Sequence, residues 1–373
     1  MRPRDQGSLR TSLCERLGIQ YPIIKAPMAG GTDTVDLVAA VSAAGGLGVL
    51  GAILLAPDEL RATIRAIRER TDRPFGVNLV VHRPQATSVN AADVAAVQRC
   101  LDPVRAELGL PDGPTKLALQ PSDIEEQFQV VCDERVPVVH LMGDPTDLVL
   151  PAREAGFTVM TFVSTVSEAH QAIALGVDII VAQGAEAGGL RCTWSVPAGE
   201  QPPLIGLMTL LPQVVDATPP SVPVVAAGGI MDGRGVLAAL ALGASGVMLG
   251  TRFALARESG IAPWWRARMR EATPELTVVS SAFTGWPARA IANRLVAALD
   301  TAGVSPLPYP YQLQAMQDLI SAARDRPGAD TGYFACGQGI AMADNHEPAA
   351  DIVAGLVAEA TAGCRRTEGQ VAV

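Results

Sequence analysis

Metal-ligand spacing, basic stripes and long apolar runs are all missing from this sequence. Its six cysteines (Cys14, Cys100, Cys132, Cys192, Cys336, Cys364) form no C-x-x-C pair and keep no ligand-like spacing to the four histidines, which argues against a metal site. Lys and Arg number 29 against 38 Asp and Glu, so at a net charge of −9 neither nucleic acid nor an anionic membrane is an expected partner. No apolar run approaches the ~18 to 20 residues of a membrane span, and the polar first ten residues hold no signal-peptide core. A soluble, cytoplasmic protein with reduced thiols is the expectation.

What is present is a 373-residue chain with 49% hydrophobic residues, enough for one barrel of roughly 250 residues and an appended segment. Short apolar runs alternate with helical stretches, many of them closed by glycine. Strand centres fall near residues 23, 48, 77, 138, 160, 179, 224 and 248. Eight β/α units of this kind close most economically as a TIM (β/α)8 barrel over residues 11–256. Residues 84–120 lack strand pattern and read as an insertion. From 257 to 363 the pattern turns to helices, read as a segment packed over the barrel mouth, with 1–10 and 364–373 flexible.

Glycines collect where strands end. Gly184, Gly188 and Gly189 follow the apolar run ending at Val181, Gly228 and Gly229 follow Val224-Val225-Ala226-Ala227, and Gly250-Thr251 follows Val247-Met248-Leu249. In barrels of this class the loops after the last two strands bind phosphate through backbone N–H groups, and glycine lets the phosphate come close. Glycine that merely permits a tight turn is the plainer alternative.

The stretch Gln183-Gly184-Ala185-Glu186-Ala187-Gly188-Gly189-Leu190-Arg191-Cys192 resembles the signature loop of the FMN-dependent nitronate monooxygenases, formerly called 2-nitropropane dioxygenases. The family pattern runs Gln-Gly-x-Glu-Ala-Gly-Gly-His-Arg-Gly. This sequence keeps it except at two places, with Leu190 for the histidine and Cys192 for the last glycine. Segments around Lys25-Ala26-Pro27-Met28, Asn78, Gly228-Gly229, Gly250-Thr251, Arg289 and Gly337-Gln338-Gly339 are similar too, in the family's order, so the resemblance covers about residues 13–360.

The resemblance implies FMN, with Ala26, Pro27 and Met28 as a flat support, Asn78 and Gln183 at the polar ring edge, Gly228, Gly229, Gly250 and Thr251 around the phosphate, and Gly188 and Gly189 as further cofactor-binding backbone. The family histidine looks like the group that takes a proton from a nitroalkane or positions the nitronate over the flavin, and Leu190 can do neither. His140 is the remaining candidate base. Gap-free matching places the family's strand histidine opposite Leu141, so alternation leaves open whether His140 faces the flavin or makes only a structural hydrogen bond. His82 reads as architecture, and His170 and His346 as surface residues. Leu190, Trp194, Trp265, Phe283, Tyr309, Tyr311 and Leu313 are expected around an apolar substrate space.

The function implied is an FMN-dependent monooxygenase or oxidoreductase acting on nitronate-like or other small organic substrates with molecular oxygen. Its alternatives are an enoyl-reductase-like enzyme on a larger apolar substrate and a non-catalytic flavin-binding protein. A homo-oligomer is left open.

Overall fold

In chain order the strands are β1 (Ile23–Lys25), β2 (Leu47–Gly51), β3 (Phe75–Val81), β4 (Val138–Gly143), β5 (Thr158–Val163), β6 (Ile179–Gln183), β7 (Gly189–Leu190), β8 (Val224–Ala227), β9 (Gly246–Leu249), β10 (Thr277–Ser280) and β11 (Ala288–Ile291). They are seen in a computed structural model that describes residues 9–81, 88–118, 123–196, 200–325, 330–342 and 346–371. Strands β1 to β6, β8 and β9 close as a barrel in that order. All eight expected strand positions are among them, parallel throughout, with β9 returning to β1 through Ile24 opposite Met248.

Two-residue alternation builds two layers from each strand. Ile24, Val49, Val138, Met160, Phe162, Val181, Val225 and Met248 fill the barrel interior. Their neighbours Ile23, Leu50, Val139, Leu141, Ile180 and Val247 point outward under the helices. The helix Ser12–Leu17 plugs one end, contributing Leu13, Cys14 and Leu17 to the interior cluster. Barrel helices begin on polar caps such as Thr34, whose hydroxyl accepts from Leu37 N at 2.9 Å, and Thr165, which accepts from Glu168 N at 3.1 Å. Such a cap contributes typically ~1 kcal/mol.

Gly46-Leu47-Gly48-Val49-Leu50-Gly51 has the G-x-G-x-x-G spacing of a dinucleotide fingerprint, yet it lies along β2 rather than in a strand-to-helix turn. It therefore makes no phosphate loop.

The expected insertion contains the helix Ala91–Glu107, which packs not on the barrel helices but against the later helices Arg294–Ala302 and Tyr311–Asp325. Buried Arg105 joins the insertion to the segment after 257 through Asp318 (2.7 Å) and is held within its own helix by Asp102 (2.8 Å). The segment after 257 departs from the helical expectation in two ways. It holds β10 and β11, which form an antiparallel sheet whose third strand is β7 from the central loop. Four-residue strands such as Ala288–Ile291 carry too little periodicity to be distinguished from loop.

The closing helix, Ala349–Val371, also lies elsewhere than expected. It packs on the barrel wall against the helices Gly233–Ala241 and Val35–Ala43, the place of an eighth barrel helix, rather than over the mouth. It continues through Gly363, after which a flexible tail is expected, and passes close to Leu237 of the neighbouring helix at that glycine. That glycine serves close helix packing and does not end the helix. Of the two ends expected to be flexible, residues 1–8 and 372–373 lie outside the described residues, as does His82.

Candidate functional site

The mouth begins at β1. Asp33 Oδ2 accepts from Met28 N at 2.9 Å and from Gly51 N at 2.8 Å, so one carboxylate fixes the turn Ala26-Pro27-Met28 and the end of β2 together. Its other oxygen pairs with Lys25, whose ammonium also donates to Val49 O at 2.6 Å. Burial pushes the Lys25 amine down and the Asp33 carboxyl up, while their mutual attraction opposes both shifts. The pair is missed by sequence reading, although a lysine inside Ile23-Ile24-Lys25-Ala26 with an aspartate eight residues on was a usable signal.

Across the interior, Asn78 on β3 stands beside His140 on β4, in register. Alternation places His140 with Val138 and Met142 inside the barrel, and Leu141 outside, which resolves the open question of its direction. Asn78 Nδ2 donates to His140 O at 3.0 Å and lies 3.3 Å from His140 Nδ1. An amide N–H can only donate, so Nδ1 accepts and the network assigns the ring proton to Nε2. Nε2 is buried and has no hydrogen-bond partner among the described residues. The ring meets Phe162 edge-on, with centroids 4.3 Å apart.

Burial pulls the His140 pKa down to about 3, so it is neutral across the physiological range. The unfolded chain binds a proton near pH 6.5 that the folded state refuses, so this residue's penalty is absent above that pH and grows as pH falls toward 3. Between pH 7 and pH 5 it amounts to about 2 kcal/mol. Urea unfolding at the two pH values is expected to show wild type losing that much more stability than His140→Gln; equal losses would contradict a buried neutral imidazole.

The central loop folds back on β6. Gln183 Nε2 donates to Leu190 O (3.1 Å) and to Cys192 Sγ (3.1 Å), and its Oε1 accepts from Cys192 N (2.9 Å) and Arg191 Nη1 (3.2 Å). Arg191 also reaches Gln183 O (2.6 Å) and Gly184 O (2.8 Å). Glu186 accepts from Leu207 N at 2.9 Å, capping the next barrel helix. Burial pushes the Cys192 thiol up to about 12, with Arg191 pulling the other way, so it is no thiolate nucleophile.

The segment after 257 seals this loop. Gln338 N donates to Glu186 O (2.9 Å), Gly337 N to Thr251 Oγ1 (2.9 Å), and Arg289 Nε to Ala185 O (2.9 Å). A side chain at Gly188 would collide with the backbone of Cys336 and Gly337, which explains glycine there. Gly228 (φ 122°) and Gly229 (φ 68°) turn the chain left-handed at the end of β8, beside Gly184 and Glu186. The helix Gly233–Ala241 starts nearby, but its first amides already meet carboxylates, Gly233 N at Glu359 (2.8 Å) and Arg234 N at Asp232 (3.0 Å).

Most of the expected substrate residues belong to one or another of several apolar clusters. Leu190, like Ala26 and Val80, packs against the interior cluster that includes Cys192. Trp194 is instead tied to Phe162 O (2.8 Å) and lies against the outer layer. Trp265 stands edge-on to Phe334, in the cluster that includes Met28. Phe283 and Tyr311 are core between the insertion and the segment after 257, and Leu313 is half-buried on the helix that Tyr311 begins. Tyr309 meets Trp286 at 5.9 Å. Apolar composition alone cannot separate core from pocket, which is why these were grouped. Trp286 was missed. Its Nε1 donates to Arg191 O at 3.1 Å, and its ring lies beside Gly143 at the end of β4.

Among the described residues no group of His, Cys, Asp and Glu could hold a metal ion, and no helix is long and apolar enough to cross a membrane. Residues 10–359 match the family model for nitronate monooxygenase. A nitronate monooxygenase of Pseudomonas aeruginosa is 40% identical over 352 residues, 92% of this chain and 97% of that one. Among solved structures, a nitroalkane oxidase from Streptomyces ansochromogenes superposes at TM-score 0.85 with 33% identity, covering 95% of this chain and 99% of that chain. FabK from Thermotoga maritima superposes at 0.75 with 29% identity, covering 97% and 99%. A barrel mouth built on the family's loop, matched over almost the whole chain, makes this protein a member of the nitronate monooxygenase family, and with it an oxidoreductase.

Proposed function

We propose that the protein is an FMN-dependent oxidoreductase that oxidises nitronates with molecular oxygen and is a poor catalyst on neutral nitroalkanes. The observation that carries this reading is Leu190. Its side chain, packed against the barrel's interior cluster, puts hydrocarbon where the family loop has a histidine. A nitronate is already an anion and needs no base, whereas a neutral nitroalkane must first lose its carbon-bound proton.

The residues present fit a flavin mononucleotide. Backbone without side chains at Gly228, Gly229 and Gly250 suits a phosphate, and Thr251 stands next to it. The carboxylates at the helix Gly233–Ala241 direct the anion toward these strand ends and away from that helix. Inside the barrel, the Nε2 proton of His140 is a buried donor wanting an acceptor, and Asn78 holds that ring in place. Met28, fixed by Asp33, offers an apolar support. When bound, the flavin supplies the electron-accepting and oxygen-reacting chemistry; the chain binds it, orients the substrate and keeps water from the interior.

Heat-released cofactor should run with FMN and not FAD, and nitronate should drive oxygen uptake. Oxidation of NADH or NADPH with an enoyl thioester, and no nitronate activity, would replace this reading with a reductase. A flavin that neither substrate reduces would make the protein a flavin binder. Asn78→Ala should weaken FMN binding by on the order of 1 to 3 kcal/mol, since it frees the His140 ring and removes a buried amide. An unchanged dissociation constant would remove Asn78 from the site.

A further inference from the structure

The amide of Gln183 has four hydrogen-bonding positions, two N–H donors and two carbonyl lone pairs, and the loop fills all four. Three partners belong to the loop backbone or to Arg191. The fourth is the side chain of Cys192, whose sulfur accepts from Gln183 Nε2 at 3.1 Å and in turn donates to Leu190 O at 3.3 Å. This second bond keeps the thiol oriented, with its lone pairs toward the amide. The family loop carries glycine at this position, and glycine has nothing to offer the amide. Cys192 is buried and lies in the interior cluster with Leu190, so its sulfur is part of the wall that a bound flavin would face.

We propose that Cys192 is a positioning residue that withdraws the Gln183 amide from the flavin edge. The inference rests on the reading of the barrel mouth as an FMN site. Where a glycine at 192 would leave one Nε2–H of Gln183 free for the ring, the thiol captures it, while Leu190 O, Cys192 N and Arg191 hold the side chain upon the loop. Together with Leu190, Cys192 makes this side of the mouth self-satisfied and apolar. The loop then binds flavin through its shape and backbone, and the two departures from the family loop act as one device.

The test is a double-mutant cycle on FMN affinity and on the flavin absorption spectrum, both read without turnover. Cys192→Ala is expected to bind FMN about 5- to 10-fold more tightly and to shift the visible band, because one donor is released to the ring, an effect of the size of one net hydrogen bond. Cys192→Ser keeps both an acceptor and a donor and is expected to match wild type. In a Gln183→Ala background, adding Cys192→Ala should change neither affinity nor spectrum. Weaker or unchanged binding in Cys192→Ala, or the same change in both backgrounds, would overturn the proposal.

A second measurement separates this from the cofactor reading. In flavin-free protein, Gln183→Ala should raise the rate at which Cys192 reacts with a thiol reagent at least 10-fold, because the loop has lost the amide that holds it. Wild type that takes up no FMN, yet shows this change in labelling, would reject the cofactor and leave the bridge standing. Equal labelling rates would reject the bridge itself.

Discussion

Freshly diluted nitronate is expected to be oxidised roughly 10²- to 10⁴-fold faster than the neutral nitroalkane of the same carbon skeleton, the range a positioned general base contributes. Leu190 has no proton-accepting atom, and the hydrophobic cluster it packs against supplies no ready base. Cys192 remains a protonated thiol, held up by burial. His140 stays neutral but uses Nδ1 to accept from Asn78, so the nitrogen facing the interior is already protonated and cannot take a second proton without forming a buried cation. Rates measured before the two substrate forms interconvert decide the matter. Equal rates would mean that another base operates or that Leu190 does not face the substrate. Leu190→His is expected to raise activity on the neutral form selectively, provided the imidazole finds a partner to orient it.

The second large effect is expected at Asp33. Asp33→Ala leaves the Lys25 ammonium buried beside Val49 O with no counter-charge and frees the amides of Met28 and Gly51. Removing one member of a buried ion pair destabilises by about 3 to 5 kcal/mol. Denaturant unfolding should show that loss, and FMN affinity should fall with it because Met28 loses its anchor. Lys25→Met with Asp33→Ala should recover part of the stability, since no buried charge is left alone. It should not recover flavin affinity, because the Met28 amide remains unpaired. Loss below about 1 kcal/mol for Asp33→Ala would mean that the pair is hydrated and contributes like a surface bridge.

Sequence reading and tertiary structure contributed differently here, for physical reasons. Strand positions, their parallel order and the closed barrel were legible because buried β/α units announce themselves locally, as apolar runs ended by glycine and followed by helices. Ala26-Pro27-Met28, Gln183 and the glycines at 228, 229 and 250 were legible as strand-end residues for the same reason, whereas Asn78 lies in the middle of β3.

What each side chain does there depends on partners far away in the chain, and those only the tertiary structure decided. His140 faces inward because β4 takes its register from Asn78 and the rest of β3. Gln183 turns onto the loop because Leu190, Arg191 and Cys192 fold back to meet it. Strands β10 and β11 pair with each other, and β11 also takes Leu190 and Gly189 of β7 as partners for Ala288 and Arg289, about a hundred residues on. The apolar residues of the mouth divide among barrel interior, outer layer and the core between the insertion and the segment after 257, which hydrophobicity cannot do, because it records that a side chain leaves water and not what it then touches.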